Sequence, residues 1–256
     1  MQERTYGDLH VSVLETNEAL GAFAAEAFAG AVRTELSTKE QIAVILATGN
    51  SQLSFIKAVA QRDDIEWSRI IVLHMDEYLG MDEHHPASFR LWMKNNVVDT
   101  VHPLRFEGVR GDHTDAAEEI ARYESLIREL KPSICVMGIG ENGHLAFNDP
   151  PADFTTDDLV RVVDMDDVSR RQQVGEGHFP SLDETPTQAI SLTIPALLAP
   201  EHVFVVVPEA RKAAAVKTAL EGDISPMCPA SILKTQTHAR LFLDQDSAAD
   251  LSEATS

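Results

Sequence analysis

Short apolar runs recur along the chain, separated by longer amphipathic stretches, and this alternation sets the expected fold. Ile42 to Leu46, Arg69 to Leu73, Ser133 to Met137, Val203 to Val207 and Arg240 to Leu243 are the strand-like runs. Their near-continuous apolar character is what a strand buried on both faces requires. Between them, Glu18 to Glu35, Gln52 to Gln61, Ser88 to Val98, Thr114 to Leu130 and Glu209 to Leu220 read as helices, the last stopping near Gly222. Strand and helix in alternation imply crossover units. The expected class is therefore α/β, with a mostly parallel, Rossmann-like sheet and helices on both faces.

One stretch breaks the rhythm. Pro150 to Pro186 is polar and interrupted by prolines and by Gly175 and Gly177. It is expected to be an excursion, or lid (residues 150–186), inside a single domain over residues 1–256. No internal repeat is visible, and the tail from Asp244 is acidic and expected to be exposed or frayed.

Composition narrows the partners more than the fold. Acidic residues number 41 against 21 basic, a formal charge of −20. Such a field repels nucleic acid and anionic membrane, so neither is expected as a partner. It also repels phosphorylated ligands at long range, so any phosphate site must be a local basic pocket. There is no apolar run of about 18 residues to span a membrane. Met1 to Arg4 show no secretory pattern. Cys135 and Cys228 cannot form a disulfide framework, and Cys135 sits in an expected buried strand as an inert thiol. A reducing, cytoplasmic setting is expected.

Four constellations carry candidate chemistry. The richest is Gly138 to Pro150, a glycine-rich turn at the end of the Ser133 to Met137 strand. Gly138, Gly140 and Gly143 match G-x-G-x-x-G, but a dinucleotide fingerprint needs a long helix after its last glycine. Pro150-Pro151 arrives too soon for that. The loop offers His144, bracketed by Asn142 and Asp149, as an acid/base group whose tautomer a carboxylate would fix. Asp76-Glu77 follows the Arg69 to Leu73 strand, where open α/β sheets bind ligands, although a solvated strand end is the bland alternative. Thr48-Gly49-Asn50-Ser51 is either an anion cradle at a helix start or an ordinary turn with Ser51 as cap. Arg211-Lys212 opens a later helix, where a cation is unfavourable unless an anion lies nearby; a surface lysine is the default. Arg170-Arg171 and Gln172-Gln173 in the excursion are either phosphate contacts or solvated helix residues. The remaining histidines show no metal-ligand spacing, so no catalytic metal and no cofactor are expected.

Taken in order, these segments resemble the glucosamine-6-phosphate deaminase/isomerase family, whose fold is shared with 6-phosphogluconolactonases. The resemblance rests on Leu46 to Ser51, Met75 to Gly80, His85 to Phe89, Gly138 to Pro150, and Lys212 with Glu221-Gly222, over roughly residues 10–250. Tyr78, where lactonases typically carry arginine, and Phe147-Asn148-Asp149-Pro150 place it on the deaminase side. The resemblance implies hydrolytic deamination with aldose–ketose isomerisation, turning D-glucosamine 6-phosphate and water into D-fructose 6-phosphate and ammonia. It implies that Asp76 moves the C2 proton to C1, that His144 opens the ring, and that Asn142 and Asp149 orient His144. Thr48, Gly49, Asn50, Ser51, Glu77, Gly138, Lys212, Arg170 and Arg171 are implied to bind the phosphorylated amino sugar.

Two departures stand out. The family's final acid is commonly glutamate, one methylene longer than Asp149. The family's phosphate-binding arginine has no clean counterpart, because Arg170 to Gln173 align in more than one way. Competing readings on the same scaffold are a 6-phosphogluconolactonase-like hydrolase and a non-catalytic sugar-phosphate-binding regulator, the latter disfavoured by charge. A homo-oligomer is an open alternative, since monomers and larger assemblies both occur in the family.

Overall fold

The computed structural model describes residues 1–252. The chain begins with β1 (Gln2–Tyr6), β2 (Leu9–Leu14), α1 (Asn17–Leu36), β3 (Ile42–Leu46), α2 (Leu53–Ala60) and β4 (Ile70–His74). It continues through β5 (Asp76–Tyr78), α3 (Phe89–Met93), α4 (Asp99–Val101), β6 (Arg105–Glu107), α5 (Ala116–Leu130) and β7 (Ile134–Met137). There follow β8 (Val160–Asp164), α6 (Asp167–Gly175), β9 (Gln188–Leu192), α7 (Ile194–Leu198), β10 (His202–Val207), α8 (Ala213–Glu221) and β11 (Ala239–Asp244). The main sheet has the order β1-β2-β11-β10-β7-β3-β4-β6, parallel throughout except for the β1–β2 hairpin.

Strand alternation explains the two cores. In β3, Ala43 and Ile45 face one side, while Ile42, Val44 and Leu46 face the other. The first side packs under α5, α7 and α8; the second under α1, α2 and the α3 region. Helices on both faces therefore follow from strands with no polar face. Capping sets several helix starts: Thr16 caps α1 and Asp115 caps α5 through side-chain acceptors. The helix expected over Ser88 to Val98 is α3 followed by a wider π turn at Lys94–Val98.

Two features differ from expectation. The polar excursion contributes β8 and β9, which pair antiparallel with β5 in a second sheet ordered β5-β9-β8. It is fastened by an aromatic cluster in which Tyr78 meets Phe89, Phe147 and Phe179 at 4.8, 5.5 and 5.2 Å between ring centroids. The tail is not frayed through Ser252: Asp244 and Ser247 are buried and hydrogen-bonded, and Ser252 bonds Glu221. Residues 253–256 lie outside the described residues. Cys135 is fully buried in β7, and burial pushes its thiol up. Among the described residues no helix is long and apolar enough to cross a membrane.

Candidate active site

The carboxyl ends of β3, β4, β7 and β10 lie side by side, and each releases a loop onto one cleft. The cleft and its mouth together span about 570 Å³, part of it open solvent. Thr48, Gly49, Ser51 and Gln52 come from the loop after β3, and Met75 and Asp76 follow β4. Gly138, Gly140, His144 and Phe147 come from the loop after β7, and Lys212 from the turn after β10.

No helix follows Gly143, so the glycine-rich loop does not complete a dinucleotide fingerprint. Gly140 instead makes room for the catalytic candidate: a Cβ there would lie 2.2 Å from the His144 ring. His144 Nδ1 lies 3.0 Å from Asp149 Oδ1, and its backbone N–H donates to Asn142 Oδ1 at 3.0 Å. Asn142 Nδ2 donates to Asp149 and Asp166, each at 2.9 Å. Asp149 also accepts the Asp166 N–H at 2.9 Å. Burial opposes the Asp149 charge, yet bonds from His144, Asn142 and Asp166 hold its pKa below the usual carboxylate range. The shorter side chain at position 149 thus reaches the histidine directly. His144 Nε2 is left to the cleft.

Asp76 has the opposite surroundings. It lines the cleft with no hydrogen-bond partner among the described residues. Burial, with the Glu77 charge beside it, raises its pKa to about 8. Glu77, expected to touch substrate, does not line the cleft. Successive strand residues point to opposite faces, and Glu77 turns inward to accept the N–H groups of Tyr78, Phe89 and Arg90 and the Ser88 hydroxyl. It anchors the start of α3.

The expected phosphate contacts divide. Thr48, Gly49, Ser51, Gly138 and Lys212 line the cleft, and Lys212 is 2% exposed. Asn50 is exposed and outside it. Arg170 and Arg171 are also outside: Arg170 donates to the Leu182 and Thr185 carbonyls, and Arg171 is an exposed partner of Asp167. Helical geometry is the reason. On α6, positions 169, 172, 173 and 176 share the inward face, which Arg170 and Arg171 do not.

Gln172 and Gln173, candidates from the sequence, do line the cleft, joined by two residues the sequence reading missed: Glu176 at the end of α6 and His178 just beyond it. Gln172 Oε1 accepts the Glu141 N–H at 2.9 Å while its Nε2 donates to Glu176 Oε1 at 2.9 Å. Glu176 also lies 3.1 Å from Arg211 and 3.5 Å from His178. Burial opposes its charge, but His178, Lys212, Arg211 and Gln172 bring its pKa down to about 2. The available signal was a helix with no apolar stripe, whose polar residues had to face something buried. Away from the cleft, Glu35, Glu201 and His202 form a cluster with metal-ligating spacing, but Lys39 and His202 already satisfy Glu35.

Comparison with known proteins matches this architecture. The family model described as Glucosamine-6-phosphate isomerases/6-phosphogluconolactonase fits residues 15–243. A glucosamine-6-phosphate deaminase of Exiguobacterium sibiricum is 32% identical over 214 residues, covering 84% of this chain and 83% of its own. One from Bacillus cereus is 29% identical over 246 residues, covering 96% and 90%. The structure of a monomeric glucosamine-6-phosphate deaminase superposes with a TM-score of 0.85 at 28% identity, covering 94% of this chain and 99% of that one. A 6-phosphogluconolactonase from Thermotoga maritima superposes at 0.73 with 20% identity over 91% and 98%, a likeness of fold. The deaminase and isomerase names carry no support for the hydrolase label expected from sequence.

Proposed function

The chain belongs to the family of glucosamine-6-phosphate isomerases and 6-phosphogluconolactonases, and from that premise we propose that it deaminates an amino sugar phosphate. The reaction converts D-glucosamine 6-phosphate and water into D-fructose 6-phosphate and ammonia. His144 Nε2 moves a proton between the anomeric hydroxyl and the ring oxygen, opening the ring. Asp149, fixed by Asn142 and Asp166, holds the imidazole in place from the other side. Asp76 takes the proton from C2 and returns it to C1, leaving an imine at C2. Water adds there and ammonia departs. Residues 150–186 form the wall that brings Gln172, Gln173, Glu176 and His178 to the substrate.

The observation that carries this reading is Asp76. A carboxylate is a weak base toward carbon acids in water, and one whose burial raises it to about 8 is far better matched to the task. The test is ammonia and fructose 6-phosphate release from glucosamine 6-phosphate. Asp76→Asn and His144→Gln are each expected to lose at least about 10²-fold in turnover. Hydrolysis of 6-phosphogluconolactone in place of ammonia release would overturn the assignment.

A further inference from the structure

The wall of the cleft built for an anion also holds a carboxylate. The turn from Thr48 to Ser51 precedes α2, where the first N–H groups lack helical acceptors. Gly49 has φ 99°, a conformation that opens the turn to close approach. Lys212 stands beside it with no hydrogen bond or ion pair to its ammonium among the described residues, although it is almost wholly buried. A buried cation without a partner calls for an anionic ligand. Yet Glu176 occupies the same place: a Cβ built on Gly49 would lie 3.8 Å from Glu176 Oε2.

Around Glu176, two cations, Arg211 and Lys212, face three carboxylates. Arg211 is held between Glu176 at 3.1 Å, Glu209 at 2.6 Å and Glu141 at 3.8 Å. Gln172 and His178 face its two oxygens, with Lys212 and the Tyr78 hydroxyl in its field. A phosphate dianion set against this wall would meet a fixed negative charge, and like-charge juxtaposition is costly. A monoanion supplies what each group lacks. Its ionised oxygens suit Lys212 and the turn N–H groups, and its single P–OH has an acceptor in Glu176.

We propose that Glu176 is a specificity-determining residue, making the cleft take its ligand's phosphoryl group as the singly protonated monoanion. The proposal rests on the preceding reading only for the presence of that phosphoryl group.

The test uses two unreactive probes, D-glucitol 6-phosphate and D-glucitol 6-sulfate, which lack the C1 carbonyl. The sulfate ester is a monoanion with no proton to donate. A phosphomonoester with second pKa near 6 is about half monoanion at pH 6 and about one part in a hundred at pH 8. Calorimetric affinity of the native chain for the phosphate ester is therefore expected to fall about fifty-fold over that interval. The sulfate ester should bind at least about tenfold more weakly than the phosphate at pH 6. Glu176→Gln should bring the two esters within about threefold and shrink the pH dependence to under about fivefold. His178→Gln should keep the native fall. Equal binding of both esters by the native chain overturns the proposal, as does a pH dependence lost in His178→Gln but kept in Glu176→Gln. Discrimination between the probes without ammonia release would sink the deaminase reading alone; turnover without discrimination would sink this one alone.

Discussion

Asp76 and Glu176 are carboxylates lining one cleft, both withdrawn from water, and their protons are held in contrary ways. Asp76 has the Glu77 charge beside it and no donor, so its pKa rises to about 8. Glu176 has Arg211, Lys212, His178 and Gln172 around it, and falls to about 2. Burial works in the same direction on both. The difference lies in the partners, which suit one group to the proposed proton transfer and leave the other a fixed charge. The group proposed to exchange a proton is left under-satisfied, and the one proposed to face the phosphoryl group is crowded with ion pairs.

The contrast is most severely tested through stability. Asp76 binds its proton more tightly folded than unfolded, so the folded state is favoured at low pH. That advantage is complete below about pH 4 and is lost as pH climbs through about 8. Asp76→Asn is expected to flatten this fall by at least half, leaving the variant more stable at pH 8 by at most about 5 kcal/mol. Urea unfolding across pH measures it; an unchanged slope would mean Asp76 is not the under-satisfied group.

A smaller effect sharpens the proposed proton-transfer side. Asp149→Asn keeps a single acceptor oxygen and sets its amide N–H against either the Asp166 N–H or the Asn142 and His144 donors. Turnover should drop on the order of 10²-fold while D-glucitol 6-phosphate binding changes less than about threefold. Equal losses in both would show that Asp149 supports the whole cleft rather than the histidine.

The smallest effect concerns two residues that lie outside the cleft. Arg170→Ala removes the donor to two carbonyls and should cost about 1–3 kcal/mol of stability, against about 0.5 kcal/mol or less for Arg171→Ala. Both should keep KM within about twofold, read by steady-state kinetics beside thermal unfolding. A large KM rise in either would return it to the ligand.

What the sequence disclosed follows the same physical divide. The strands β3, β4, β7, β10 and β11 were legible because burial on both faces demands continuous apolar residues. The loop from Gly138 to Pro150 was legible because glycine and histidine together are distinctive. The hairpin of β1 and β2 went unread despite the period-two pattern of Leu9, Val11 and Val13, with Gly7 at the turn. The strand β5 was invisible as a strand: Asp76-Glu77-Tyr78 is polar and three residues long, and only pairing with β9 extends it. Reading it as a strand would have turned Glu77 away from the cleft. Within 150–186 the ligand-facing side of α6 is polar, so apolar periodicity, the usual guide to an inward face, gave no direction.

Gln172 has a consequence for how such a cleft can diverge. Its amide is polarised by two fixed neighbours, the Glu141 N–H on one side and the Glu176 carboxylate on the other, so only one orientation satisfies both. A lineage that exchanged Glu176 for a basic side chain would confront the Gln172 amide donor with another donor. One that exchanged Gln172 for glutamate would set two carboxylates face to face. Either exchange alone is penalised, so a reversal of charge at position 176 in descendants of this chain must pass through both positions as a compensating pair.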